Sequence, residues 1–388
     1  MALAKKRLSR LIRWEYTGLI LILVATLALH LSVITRPREL ILDEQHYVPD
    51  ARAIIQEHKT LREEHPPLGK LFISLGILVF GDNPRGWRMP SVLMGTAGIV
   101  LFYLICRELR MSQRACLIAT FLMAFENLTF VQASVAMLDV FYVTFMFACF
   151  LCYLKGKYPL AAVLLTLSAL AKLPGAFAGL AIGLHWIMTN RTKALSFFAS
   201  MLLSLVSFFA LLPVFSFIIN RRFISPFQQV NTMLSLSSSL TFASAQHESM
   251  TRPWEWVILP KIMPYWYKPN YMAAISFTLW GLIIPAVAYL IFRAVRKNSA
   301  GSFGLVWFTG TYLIWIPLSL LTNRISFVFY FYPTIGAVCL GVGLGLSRIV
   351  SKWGTRDRKR LRWVILPLFW GFLIAHLVVF VILSPVFT

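Results

Sequence analysis

Apolar runs follow one another through most of the chain, interrupted by short polar joints. They cover about residues 15–35, 86–106, 114–131, 135–154, 158–172, 174–189, 194–219, 271–292, 303–321, 325–347 and 363–384. A helix needs roughly 20 apolar residues to cross a hydrocarbon core, so the pattern predicts about eleven transmembrane helices. The run Leu68–Phe80 is shorter and is expected at the interface or partway in. The run Thr17–Val33 follows a basic start but meets no small-residue cleavage site, which predicts a retained first span. No internal repeat or low-complexity stretch stands out. The expected fold class is an all-α polytopic membrane protein, with residues 1–388 forming one transmembrane domain.

Composition agrees with that pattern. Hydrophobic residues make up 58% of the 388 positions and charged residues 13%, about half the share of an average soluble domain. The net charge of +22 would suit a nucleic-acid partner, but its distribution argues for a membrane instead. With the N-terminus inside, most of the 37 Lys and Arg fall in inner joints: Lys5–Arg13, Arg107–Arg114, Lys155 and Lys157, Arg191 and Lys193, Arg293–Lys297, and Arg348–Arg362. Only Glu15, Glu108 and Asp357 accompany them. The positive-inside rule then predicts a cytoplasmic N-terminus and an external C-terminus in the cell membrane. The five cysteines all lie in or beside apolar runs, and Cys149-x-x-Cys152 reads as helix packing rather than a redox or metal pair.

Two external segments, about 37–85 and 220–270, are too long to be mere connections, so the working side is expected to be the outer one. In the first, Asp43 and Glu44 stand beside His46 and Tyr47; such a group can supply a general base or bind a cation, or can be a solvated acidic turn. His65-Pro66-Pro67-Leu68-Gly69-Lys70 presents a histidine on stiff backbone, or simply begins a helix with proline. Glu126, Asn127 and Asp139 are carboxylates and an amide at apolar-run ends, where ionisable groups are functional by default. Lys172 faces outward and can snorkel or bind an anion. Asn127-Leu128-Thr129 matches a glycosylation sequon but lies too close to the membrane for use. The second segment carries His247 and Trp254-Glu255-Trp256, whose aromatic density suits either an interfacial belt or a sugar-stacking wall. Arg324 precedes the aromatic run Phe327–Pro333, where its fork of donors suits a lipid phosphate. No Gly-rich phosphate loop, HExxH or Cys/His zinc spacing is present.

In this order and spacing, Asp43-Glu44-x-His46, the His65–Lys70 segment, Arg88-x-Pro90-Ser91, Glu126-Asn127 through Asp139, Ala171-Lys172, His247–Trp256 and Arg324–Pro333 resemble the protein O-mannosyltransferase family of the GT-C membrane glycosyltransferases. The resemblance runs from about residue 15 to 350. Two departures are that Ser134 stands where the family usually has Arg, and that the β-trefoil insertion of the eukaryotic enzymes is missing, which points to a prokaryotic or archaeal type. The resemblance implies a GT-C fold and a donor of polyprenyl (dolichyl) phosphate mannose, with transfer to an acceptor hydroxyl of protein or glycan and inversion at the anomeric carbon. It implies Asp43 as the base with Glu44 orienting the acceptor or the base. Arg324, Lys172 and His65 would serve as positive donors to the leaving phosphate. His46, Glu126, Asn127, Asp139, His247, Trp254, Glu255 and Trp256 would form the sugar or acceptor cleft. No cofactor is required by this chemistry, although Asp43 and Glu44 could bind a divalent ion. The membrane lipids are the remaining partner expected, and nucleic acid is not. The rival readings are an aminoarabinose-transferase-like enzyme acting on a glycan or lipid, and a secondary transporter with the outer acids as coupling sites.

Overall fold

The computed structural model describes residues 2–189, 193–244, 246–353 and 359–387. Arg191, Arg356, Asp357 and Arg358, assigned above to the inner face, lie outside them. The chain opens with α1 (Ala2–Val33), α2 (Glu44–Glu57), α3 (Pro67–Phe80), α4 (Pro84–Glu108), α5 (Gln113–Ala124) and α6 (Asn127–Ser134). It continues with α7 (Asp139–Leu154), α8 (Tyr158–Ala171), α9 (Phe177–Thr189), α10 (Ala194–Asn220), α11 (Pro226–Ser239) and α12 (Glu255–Ile258). After a hairpin of β1 (Ile262–Trp266) and β2 (Tyr271–Ala274) come α13 (Phe277–Trp280), α14 (Ile283–Val295), α15 (Ser299–Phe308), α16 (Trp315–Thr322), α17 (Tyr332–Trp353) and α18 (Lys359–Leu383).

Among the described residues, six helical stretches are long and apolar enough to cross a membrane: Tyr16–Val33, Pro84–Glu108, Ala194–Asn220, Ser299–Thr322, Val328–Lys352 and Leu361–Leu383. The α5–α6 pair makes a seventh if its 56° bend is counted within one span. The apolar helices α3, α7, α8 and α14 and the stretch Leu173–Thr189 are shorter. Only 11% of the Leu361–Leu383 window is buried, and Leu368, Trp370, Ile374 and Val378 face outward. Apolar surface on that scale is not stable in water. The chain is a multi-pass helical membrane protein.

Helix α7 lies at the centre, buried on nearly every side from Asp139 to Tyr153, as expected of a helix that is apolar all round. Phe102, Phe147, Phe150 and Phe303 surround Trp307 with centroids 5.1–6.1 Å away, and the Trp307 indole donates to the Pro333 carbonyl at 2.8 Å. Side-chain caps start several helices. Asn83 accepts from the amides of Arg85 and Gly86, Ser112 from Ala115, and Asn298 from Gly301. At the α3–α4 crossing a Cβ on Gly76 would stand 2.2 Å from the Gly86 carbonyl oxygen, so the close approach requires glycine there.

The sequence pattern needs two corrections here. Segment 37–85 is mostly helical, being α2 and α3 joined by a short loop. The fold is also not wholly α. Tyr271–Ala274, expected to begin a span, is instead a strand paired antiparallel with Ile262–Trp266. The alternating burial of Ile262–Trp266 is a strand period hidden inside an aromatic-rich loop.

Candidate active site

The turn before α2 sets the site. Leu42 has φ +45°, a left-handed conformation unfavourable for a bulky residue, and it delivers Asp43 to the N-cap position of α2. Such strain persists only when its surroundings hold it. Here Glu44 and Arg88 do so. Arg88 donates to both Glu44 oxygens at 2.8 and 2.7 Å, and both side chains are fully buried. Its remaining donors reach the carbonyls of Ile34, Arg36, Pro37 and Glu39 at 2.9–3.2 Å. Glu44 also accepts from the amides of Ile41 (3.1 Å) and Ala136 (2.8 Å). This lattice fastens the turn to α4 and to the α6–α7 joint.

Glu44 is therefore a brace: of the two roles expected from sequence, orienting the acceptor or the base, the geometry fits the second. Its two oxygens accept four hydrogen bonds, two from Arg88 and one each from the amides of Ile41 and Ala136. Among the described residues, no group of three His, Cys, Asp or Glu side chains is arranged to hold one.

Asp43, half-buried, lines a cavity of about 620 Å³ together with His46, His65, Lys172, His247 and Arg324. Residues separated by up to 281 positions thus share one hollow. Among the described residues the Asp43 carboxylate makes no hydrogen bond and does not cap its own helix. Burial raises its pKa above the ordinary carboxylate value; Lys172 opposes this and Asp139 adds to it.

The opposite wall carries the cations. Lys172 donates to Asp139 at 2.7 Å and lies 5.7 and 5.6 Å from the ring centroids of Phe329 and Tyr330. Asp139 is thus the partner of a cavity residue rather than part of the lining. Arg324 is positioned by loop pairing: Thr241 bridges to it, Phe242 donates to the Asn323 carbonyl at 3.0 Å, and Ile325 donates to the Leu240 carbonyl at 3.1 Å. Its Nε is buried without a hydrogen-bond partner. Arg324 also lines a cleft of about 190 Å³ between α11 and α16, walled by Leu234, Trp315, Leu318 and Ile325.

His65 shares a 3.0 Å hydrogen bond, through Nε2, with the Tyr47 hydroxyl. Burial, then the charges of Lys172, Lys70, Arg324 and Arg62, hold its pKa well below the usual imidazole value. It is a neutral hydrogen-bonding group at neutral pH, which corrects its expected role as a cation. Lys70 shapes the loop that carries it, donating to the Thr60 hydroxyl (2.6 Å) and the Arg62 carbonyl (2.7 Å) beside buried Asp50. His46 is hydrogen-bonded to Arg62, and His247 packs edge-on to Phe327 with centroids 5.3 Å apart.

Besides Asp139, five more residues expected in the cleft lie elsewhere. Glu126 caps α6, accepting from Thr129 (2.8 Å) and from Ser276 (3.0 Å). Asn127 donates to the carbonyls of Met272 and Ala274, tying α6 to the hairpin. Glu255 accepts from the Arg252 amide and pairs with Lys261 at 2.6 Å. Trp256 is wholly buried, donating to Thr251 at 2.9 Å and packed against Trp315, while Trp254 lies under the Arg252 guanidinium at 5.9 Å. Backbone groups at helix ends next to a membrane must find hydrogen-bond partners, and Glu126, Asn127 and Glu255 supply them. Ser134, at the departing position, is closed off by a 2.9 Å hydrogen bond with His30 and does not line the cavity. Sequence reasoning named Tyr47 beside Asp43 and Arg88 within a motif but gave neither a role, and it missed Arg62 and Tyr265, which line the cavity; an arginine inside the apolar run 86–106 was the available signal for the role of Arg88.

The geometry can be set beside known proteins. The family model described as dolichyl-phosphate-mannose-protein mannosyltransferase matches residues 64–219. A polyprenol-phosphate-mannose–protein mannosyltransferase of Mycobacterium tuberculosis is 35% identical over 150 residues, which are 37% of this chain and 29% of that relative. The chain thus spans about three tenths of the length of that curated relative. An undecaprenyl phosphate-alpha-4-amino-4-deoxy-L-arabinose arabinosyl transferase of Pseudomonas fluorescens is 26% identical over 256 residues, covering 63% of this chain and 43% of that one. The solved S. cerevisiae protein O-mannosyltransferase Pmt1–Pmt2 complex, bound to the sugar donor, superposes with a TM-score of 0.77 at 13% identity, over 96% of this chain and 90% of that one. Over residues 64–219 the chain is similar in sequence to the protein mannosyltransferases, and over nearly its whole length its fold is similar to that of the solved Pmt1–Pmt2 complex.

Proposed function

We propose that the chain is a membrane glycosyltransferase that moves a mannosyl residue from a polyprenyl phosphate to an acceptor hydroxyl, with Ser or Thr of a protein as the acceptor. The observation that supports this reading best is the meeting of one unpaired carboxylate with Lys172 and Arg324 in a single cavity, next to an apolar cleft that begins at Arg324. A lipid-linked sugar phosphate needs such a combination: a base, fixed cations and a place for an isoprenyl tail. The attacking hydroxyl loses its proton to Asp43 as its oxygen bonds to the anomeric carbon from the face opposite the phosphate. The carbon–phosphate-oxygen bond breaks, its electron pair stays on the phosphate, and configuration inverts. The bond-breaking state has oxocarbenium character, as in glycoside hydrolysis. The charge gained by the phosphate is met by Arg324 and Lys172 in a partly dry site, where fixed donors are most effective. His65, held neutral, contributes a hydrogen bond.

In this reading the cavity faces outward and the N-terminus lies inside, so that the basic joints contact the cytoplasm. The six long helices, the bent α5–α6 pair and the shorter apolar helices together give about eleven spans in one GT-C domain over residues 1–388. Segments 37–85 and 220–270 cover the outer face. A carboxylate and two cations clustered at one end suit surface chemistry better than transport, which usually sets ionisable groups near the midplane. Incubating membranes with labelled polyprenyl-phosphate mannose should yield labelled protein. Label confined to glycan or lipid would instead favour the aminoarabinose-type reading, which the 26% identity to the arabinosyl transferase supports.

Arg324→Ala should raise the donor KM by about 10- to 100-fold, the loss expected for one or two charge-assisted hydrogen bonds, with little effect on thermal stability. An unchanged donor KM would move the phosphate site elsewhere. The pH profile offers a separate check. A base works only when deprotonated, so the raised pKa of Asp43 places the acid limb of kcat/KM above the ordinary carboxylate value of about 3.9. Activity should fall as pH drops through that limb; a limb at the ordinary value would mean that Asp43 is solvated in the working enzyme.

A further inference from the structure

A second hollow lies at the other end of the molecule from the cavity. It is a furrow of about 400 Å³ between α14 and α17, walled by Leu282, Pro285, Ala286, Tyr289, Gly345 and Ile349, with Arg348 and Lys352 also in its lining. Tyr330, just before α17, lines the catalytic cavity, whereas Arg348 and Lys352 lie in the last two turns of that helix. At 1.5 Å per residue the two are roughly 27–33 Å apart along the axis, about the thickness of a hydrocarbon core.

Helices α14 and α17 run in parallel here, since Gly341 meets Ala286 and Gly345 meets Tyr289. Their basic C-terminal turns therefore arrive at the same end. Arg293 on α14 turns back to donate to the Tyr289 hydroxyl at 3.2 Å, and Arg296 lies 4.4 Å from the Phe292 ring centroid. Among the described residues, no acidic side chain lines the furrow. Basic residues at helix C-termini are also favoured by the helix dipole, which accounts for their sign but not for the hollow beside them. The two glycines differ in a telling way. A Cβ on Gly341 would press on Ala286 and Leu290 at 3.2 Å, so that glycine serves packing. A Cβ on Gly345 would meet nothing nearer than the Tyr289 ring at 3.8 Å, so its missing side chain leaves open space.

We infer that this furrow is a binding site for an anionic glycerophospholipid of the leaflet opposite the catalytic cavity. One acyl chain lies along Leu282, Ala286 and Gly345, and the phosphate is met by Arg348 and Lys352. The argument is charge complementarity: an apolar slot with Arg348 and Lys352 at its mouth fits a lipid with an acidic headgroup, and in the orientation proposed above this end is cytoplasmic, where anionic lipids concentrate. The site rests on that orientation but shares no residue with the catalytic cavity.

The test uses the full chain in nanodiscs of equal phosphatidylglycerol and phosphatidylcholine, extracted in mild detergent, with retained lipid measured by mass spectrometry. Phosphatidylglycerol should be retained in preference by about fivefold for each basic side chain engaged. Arg348→Ala with Lys352→Ala, both at exposed positions, should abolish the preference while lipid is still retained. Gly345→Leu, which fills the slot, should lower retention of both lipids and leave sugar transfer unchanged. Equal retention of the two lipids by the unaltered protein would overturn the proposal. So would a preference that survives the double substitution.

Discussion

Asp43→Asn is expected to reduce transfer by about 10²- to 10⁴-fold, the usual contribution of a positioned base, while the protein accumulates and inserts normally. Asparagine keeps the shape of the side chain and removes only its ability to take a proton. Among the described residues the Asp43 carboxylate has no hydrogen bond to lose, and its backbone carbonyl, which accepts from the amides of His46 and Tyr47 at 2.9 Å, is unaffected. The donor KM should change little, because the cations of the opposite wall remain. The measurement is kcat on labelled donor in detergent, with membrane yield and thermal stability recorded on the same preparation. Near-normal kcat in a well-folded Asp43→Asn protein would remove Asp43 from the chemistry.

The neighbouring residue should behave in the opposite way. Glu44→Gln leaves Arg88 with its charge uncompensated inside the protein, where breaking a buried pair costs about 3–5 kcal/mol. The amide also cannot accept at all the places where the carboxylate does, so the Ile41 and Ala136 amides or the guanidinium lose partners. Folded yield should fall sharply, and what activity remains should follow the amount of folded protein. Glu44→Met combined with Arg88→Leu removes the uncompensated charge but leaves the Ile41 and Ala136 amides and four carbonyls without their partners, so it should restore only part of the yield. The strained turn at Leu42 would then lack its fastening, and kcat should stay low. A Glu44→Gln protein that is stable, abundant and inactive would return Glu44 to the chemistry. On these expectations two adjacent carboxylates, Asp43 and Glu44, separate into one that reacts and one that holds.

That separation marks how far the amino-acid order could be read. The motifs Asp43-Glu44, His65–Lys70 and Arg324–Pro333 were conspicuous because ionisable and aromatic residues interrupt long apolar runs, and each contributes at least one residue to the cavity. Which member of each motif faces inward was not legible. Glu44, Lys70 and Trp256 point away from the cavity and satisfy neighbouring backbone or charge, whereas Asp43, His65 and Tyr330 line it. Proximity along the chain says nothing about this, because a turn of one residue redirects the side chain. Arg62 and Tyr265 went unnoticed for a related reason: an arginine in a charged loop and a tyrosine in an aromatic one carry no pattern of their own.

Taken by itself, the order of residues determined the membrane setting, the helical class and the short roster of ionisable groups. These are properties of transfer free energy and of local period, and they add along the chain. Only the tertiary structure decided that Asp43, Lys172 and Arg324 share one hollow, that Arg88 is consumed by Glu44, and that His65 is neutral among cations. Those outcomes depend on distances between segments hundreds of residues apart and on the loss of water around each group. Neither quantity is a sum over neighbours in sequence.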